Sequence, residues 1–144
     1  MLQAEEGWVL ERLLGRWAFE REISGHGSMV GFAVFEVDGN RVAYRESGEV
    51  KLLDGQRVRG EQKYLYESMQ NGFAVYFHDT GLLFHQVGLT AGEDGVWQGN
   101  AHHDCKDDVY DSEYVFGRDG TFEVQHQVRG PKKDYVIKTV YRRD

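Results

Sequence analysis

Charged and titratable side chains set among aromatics are the first sign of chemistry in this chain. Trp17, Phe19, Arg21 and Ile23 alternate with Ala18, Glu20 and Glu22. Successive side chains of an extended strand point to opposite faces, so Arg21 shares the apolar face with two aromatic rings. The same alternation groups His126 with Phe122, Val124 and Val128, and His103 with Trp97, Gly99, Ala101 and Cys105. After a turn, Asp108, Tyr110, Ser112, Tyr114 and Phe116 form a further row. Rows of mixed polarity place Tyr44 with Glu46, Gln62 with Tyr64 and Tyr66, Leu83 with His85, and Tyr135, Ile137 and Thr139 with Tyr141.

A guanidinium taken out of water needs an acid beside it, and the partners open to Arg21 are Glu46, Asp108 or an acidic group on a ligand. Tyrosine offers a large apolar face with one polar tip, which suits planar or amphipathic molecules. Turned toward one interior, Arg21, Glu46, Tyr64, His85, His103, Tyr110, Tyr114, His126, Tyr135 and Tyr141 would line a ligand site with aromatic walls and hydrogen-bonding tips. The same groups could support acid–base chemistry, a desolvated His or Glu taking a proton while Arg21 or a Tyr stabilises the anion. No nucleophile motif accompanies them. His103 and Cys105, two apart, approach with His126 the three-ligand set of a catalytic zinc site, and one inward His is what a haem iron needs. Ordinary packing accounts for both features, because a Cys ending an apolar row is a small hydrophobe and an inward His is commonly a satisfied core residue. No metal and no cofactor is therefore expected. A purely internal Arg–Glu–Tyr network that fixes the fold is the plain alternative to a ligand site.

The elements that must position these residues are legible in the punctuation. Residues Gln3 to Leu14 carry Val9, Leu10, Leu13 and Leu14 at helical spacing and stop at Gly15, a common helix terminator. From Arg16 onward, alternating segments are interrupted at Gly25 to Gly27, Asp38-Gly39-Asn40, Asp54-Gly55, Asn71-Gly72, Asp79 to Gly81, Gly92 to Gly95, Lys106-Asp107, Asp119-Gly120 and Gly130-Pro131. These are hairpin turns, and they delimit about ten strands. Strands joined only by short turns pair with their neighbours, and closure removes the exposed edges. The expected fold is all-β: an up-and-down antiparallel barrel of about ten strands with the short helix across one mouth, Trp8 packing there. A barrel of that width tends to keep a cavity. Lys132-Lys133 beside Asp134 reads as a solvated hairpin tip.

With 144 residues, 40% of them hydrophobic, the chain suits one globular domain spanning residues 1–144. Its net charge of −7 disfavours nucleic acid and anionic lipid as partners. No apolar run approaches the roughly 20 residues of a membrane helix. The single Cys105 and the acidic Glu5-Glu6 near the start point to a cytoplasmic protein. Monomer and homodimer are equally compatible with the sequence.

The Gly15-Arg16-Trp17 opening of the first strand, after a short helix, resembles the calycin superfamily of lipocalins, fatty-acid-binding proteins and avidins. The resemblance implies an arginine near the end of the last strand packed on the tryptophan, a part for Arg142 or Arg143. Phe84-His85, the stretch Ala101-His102-His103-Asp104-Cys105 leading to Asp108-Val109-Tyr110, and Val128-Arg129-Gly130-Pro131-Lys132-Lys133-Asp134-Tyr135 followed by Thr139-Val140-Tyr141-Arg142 together resemble one calycin-like family of unknown function. This likeness spans nearly the whole chain and implies the barrel but no activity. Fatty-acid-binding proteins hold a carboxylate with an inward Arg and Tyr two apart on the last strand; here Thr139 and Tyr141 stand at such positions, and Arg21 would have to serve from another strand. Nitrobindin-like barrels bind haem through one inward His, for which His126, His103 and His85 are the candidates, but the remaining motifs are absent. The expected function is binding of a small aromatic or amphipathic molecule, any acidic group on it meeting Arg21. A small cofactor-independent enzyme of isomerase, cyclase or decarboxylase type, using His103, His126, Glu46 or the tyrosines, is the second reading. The third is a scaffold with a filled interior and a binding surface outside.

Overall fold

A computed structural model of the chain describes residues 9–92 and 94–144. After a helical turn at 9–13, the chain forms β1 (Gly15–Ile23), β2 (Gly27–Asp38), β3 (Arg41–Leu52), β4 (Arg57–Met69), β5 (Gly72–Phe77), β6 (Leu83–Ala91), β7 (Trp97–Cys105), β8 (Asp108–Phe116), β9 (Phe122–Arg129) and β10 (Asp134–Arg143). Each strand pairs antiparallel with its sequence neighbours, and β1 closes the barrel on β10 from Trp17↔Arg143 to Ile23↔Ile137. The expected ten strands, turn sites and closure are all present. The earlier part of the expected helix, with Trp8, lies outside the described residues.

Long strands close into a tube only if they bend, and glycine provides the bend where two backbones nearly touch. Gly31, Gly48 and Gly60 lie side by side on inward positions of β2, β3 and β4. A Cβ on Gly48 would stand 2.2 Å from the Val30 carbonyl oxygen, and one on Gly31 2.2 Å from that of Ser47. No side chain larger than hydrogen fits such a corner.

Beneath the helical turn lies the aromatic core, with a cleft of about 260 Å³ between that turn and the β8–β9 connection. Val9, Leu10 and Leu13 are buried there with Trp17, Phe35, Phe73 and Phe122. Trp17 meets Phe122 edge to face at 4.8 Å, and Phe122 stacks on Tyr141 at 4.2 Å. The Trp17 indole N–H donates to the Leu13 carbonyl at 2.8 Å. The Arg143 guanidinium lies 4.0 Å over the same indole and donates to the carbonyls of Leu14 and Arg12. Of the two arginines considered for this part, Arg143 takes it, while Arg142 faces outward toward Glu20. The helix end, the first strand and the last strand are thus tied at one point.

Two expected rows are corrected. Register slips between β5 and β6, from Val75↔His85 to Tyr76↔Leu83, leaving Phe84 as an extra residue. Such a bulge resets the alternation: Phe84 and His85 are both buried, and Leu83, expected inside with His85, is 42% exposed. Cys105, expected to end an inward row, is exposed where β7 runs into its turn.

Substituting alanine at two strand glycines tests the corner. Gly48→Ala should lose about 2 kcal/mol or more in urea unfolding through the forced backbone shift. Gly88→Ala, whose Cβ would meet nothing within 4 Å, should stay within about 1 kcal/mol of the parent. Equal effects would remove the argument for the corner.

Candidate functional site

Toward the end away from the helical turn, the barrel is not filled. A partly open cavity of about 290 Å³ is bordered by Arg21, Glu46, Tyr64, Phe84, His126 and Thr139, with Met29, Ile23, Ile137 and Val124 as apolar wall and the exposed Gln62 at its rim.

Its floor is one hydrogen-bonded network drawn from β1, β2, β3 and β10. Arg21 stands directly opposite Thr139 across the closing seam. Its Nε donates to Thr139 Oγ1 at 2.8 Å, Nη1 to Glu46 Oε2 at 2.7 Å and Nη2 to Glu46 Oε1 at 2.8 Å, while Met29 Sδ lies 3.4 Å from Nη1. The Arg21 and Glu46 side chains are 16% and 5% exposed. Tyr44 donates to Glu46 Oε1 at 2.5 Å, and its hydroxyl lies 2.8 Å from that of Tyr141. With Tyr44 donating to the carboxylate, Tyr141 donates to Tyr44. Burial, the largest single effect, lowers the Arg21 pKa, but the bidentate bond to Glu46 and the electrostatic attraction of Tyr141, Glu46 and Tyr44 together outweigh it, and the net shift is upward. The Tyr44 phenol is held well above its ordinary value, by burial first and then by Tyr141 and Glu46, and burial pushes Tyr141 up to about 12. Both phenols stay protonated and remain donors. Glu46 therefore takes the place that the sequence left open for a ligand's acid. Asp108, the other internal partner considered, faces Lys133 at the rim at 2.9 Å.

The opposite wall is aromatic and uncharged. His126 and Ser112 face each other across β8 and β9, with Nδ1 2.6 Å from Oγ. Burial, then the nearby Arg21 charge, lowers the His126 pKa to about 4 against a weaker opposing effect of Glu46. His85 sits 2.7 Å from the Tyr114 hydroxyl through Nε2. Burial, with smaller effects of His126 and His103, lowers its pKa to about 3. Both rings are neutral near pH 7.

Phe84 organises this wall. It stacks on His85 at 4.0 Å and Tyr64 at 6.1 Å, and meets His103, Tyr110 and His126 at 5.2, 5.9 and 5.9 Å.

Of the expected site residues, Arg21, Glu46, Tyr64, Tyr114, His126 and Tyr141 border the cavity. His85 is buried behind Phe84, and His103 and Tyr110 lie half-buried on its far side. Tyr135 does not border the cavity; it packs against His26 of the first hairpin turn at 4.9 Å. The sequence reading did not assign Tyr44, Thr139, Ser112 or Phe84 to the site. The first three stand on inward rows, and their roles depend on cross-strand register; Phe84 enters only through the bulge. The set of His103, Cys105 and His126 considered for zinc is not assembled, and among the described residues no three His, Cys, Asp or Glu side chains are grouped to hold a metal ion. No helix among the described residues is long and apolar enough to cross a membrane.

A family model described as "Family of unknown function (DUF6314)" matches residues 13–143. No curated protein matches the chain. Among solved structures, a redesigned β-barrel is similar at 10% identity with a TM-score of 0.43, covering 94% of each chain. The protein EF1p2_mFAP2b bound to DFHBI is similar at 9% identity with a TM-score of 0.38, covering 93% of this chain and 95% of that one.

Breaking the ion pair from one side strands a buried charge, so Glu46→Gln should cost about 3–5 kcal/mol in denaturant unfolding, and adding Arg21→Met should recover much of it. A double variant as unstable as the single one would show that the pair does not act as a unit. The histidines set the acid limb. Above pH 6.5, their ordinary value, both are neutral folded and unfolded. Below it the unfolded chain takes protons that the native chain refuses, so stability falls by up to about 1.4 kcal/mol per pH unit for each histidine. The loss continues to about pH 4 for His126 and about pH 3 for His85. His126→Gln should therefore flatten the dependence of the urea midpoint between pH 6.5 and 4; an unchanged slope would contradict the burial assigned to His126.

Proposed function

We propose that this chain, which belongs to the DUF6314 family of unknown function, binds a small, neutral, aromatic or amphipathic molecule inside its barrel. One observation carries the reading: a partly open cavity remains although the ion pair beside it is already complete. If the polar residues served only to fix the barrel, nothing would require space next to them. About 290 Å³ lies at the small end of ligand pockets, which run from roughly 300 to 1,000 Å³.

The lining selects for charge as well as size. Arg21 and Glu46 cancel, and the histidines are uncharged, so an incoming carboxylate would lose its hydration and find no free cation. The sequence reading allowed an acidic ligand; the paired Arg21 favours a neutral one. Aromatic walls with a few polar tips suit a planar molecule. Retention is favoured over conversion, because a general base works best with a pKa near the working pH, whereas His126 and His85 are held at about 4 and about 3.

The calycin-like kinship belongs to this reading. It is supported by the Arg143 guanidinium on Trp17 at the helix end. The site lies in one domain, and a cytoplasmic location accords with an exposed, unpaired Cys105.

Calorimetric titration with two probes of similar outline tests the proposal. Uncharged 2-acetylnaphthalene should bind saturably and at least about tenfold more tightly than 2-naphthoate, and Ile137→Trp, which fills the cavity wall, should abolish binding while the barrel stays folded by circular dichroism. Tighter binding of the carboxylate, or no uptake of either probe, would overturn the reading.

A further inference from the structure

On the inward row of β9, Phe122, Val124 and Val128 are buried, whereas His126 between them is half-buried. A side chain on an inward row gains its exposure through the interior, and His126 borders the cavity. Its two ring nitrogens have different surroundings. Nδ1 lies 2.6 Å from Ser112 Oγ, while Nε2 bonds to no other described residue. Among the described residues the one enclosed side-chain nitrogen or oxygen without a partner is Nδ1 of His85. Nε2 of His126 is therefore not sealed in, and the space it opens to is the cavity.

Ser112 decides what that nitrogen presents. Its side chain is buried, and among the described residues the one hydrogen bond of its hydroxyl is to His126 Nδ1. A hydroxyl carries a single proton. Were Nδ1–H to donate to Oγ, the serine proton would be left in the interior with no acceptor, and an orphaned donor is costlier than an idle lone pair. Ser112 therefore donates to Nδ1. The ring, neutral near pH 7, carries one proton, and that proton stands on Nε2.

We propose that Nε2–H of His126, oriented by Ser112, is the specificity donor of this site and takes the carbonyl-type oxygen of a neutral aromatic ligand. This rests on the cavity reading above and deepens it by naming the ligand's functional group and the residue that reads it. The acceptors of the lining stand elsewhere. Glu46 is bound to Arg21, and Glu61 and Gln62 are exposed at the rim, so a donating or positive group on a ligand meets its partners there, in contact with water. Tyr64, whose oxygen accepts from the Gln62 amide at 3.0 Å, keeps a proton to give beside the same rim. His126 differs in being held by a buried partner, so its proton has one fixed direction, the preorganisation that makes a binding group selective.

The test uses the full chain and two probes of one outline, 2-acetylnaphthalene and 2-isopropenylnaphthalene, in which a methylene replaces the carbonyl oxygen. Long-range 1H–15N spectra of the free protein near pH 7 should show His126 protonated at Nε2. The ketone should move that proton downfield, as hydrogen bonding does, and the alkene should not. The ketone should also bind about tenfold more tightly, the worth of one neutral hydrogen bond, and His126→Phe should bring the two affinities together. Ser112→Ala should populate the Nδ1-protonated ring in the same spectra and weaken the preference for the ketone, a pairing of effects that lost packing alone would not produce. A proton on Nδ1 in the parent protein, equal affinities there, or a preference that survives His126→Phe and so passes to Tyr64 would overturn the donor assignment while leaving the cavity reading intact. If neither probe enters the parent protein, both fail.

Discussion

The Arg21–Glu46 pair is the constraint around which the interior of this barrel is arranged. Two ions removed from water are tolerable only if their remaining valences are met, and meeting them recruits Thr139 and Tyr141 from β10, Tyr44 from β3 and Met29 from β2. The network straddles the seam where the first strand meets the last. It therefore stabilises the closed form over any form in which β1 and β10 separate. Since the pair is electrically neutral and complete, it makes the cavity floor polar without making it charged.

The same seam is tied again nearer the helix, where Arg143 covers Trp17 and binds the carbonyls that end the helical turn. Between the two ties, aromatic residues from β1, β2, β5, β8 and β9 fill the tube. Beyond the ion pair, the walls are held apart and space persists. A site at the boundary between a packed half and an open half inherits rigidity from one and access from the other, which is the arrangement that favours binding without large rearrangement.

Much of this was legible in the residues. Turns announced by glycine, asparagine and aspartate delimit about ten strands, and period-two alternation placed Arg21 and His126 inside because each shares a face with apolar neighbours, while Glu46 and Tyr141 came from rows of mixed polarity. What stayed hidden depends on register and local irregularity. Thr139 is a partner of Arg21 only because β1 pairs with β10 in one particular offset. Phe84 lies inside and Leu83 outside because of one extra residue in β6, which no alternation rule foresees. Tyr135 and Cys105 obey the alternation, yet they stand near strand ends, where an inward direction no longer means an interior. The choice of Glu46 over Asp108 as the acid for Arg21 likewise needs the three-dimensional offset between β1 and β3.

Whether the barrel keeps space beside a completed ion pair is decided by electron density of its interior in crystals of freshly purified protein. Arg21 should be bonded to Glu46 and Thr139, with non-protein density, solvent or ligand, between Tyr64, His126 and Ile137. Side chains collapsed to fill that volume, or an Arg21 turned away from Glu46 into solvent, would contradict it.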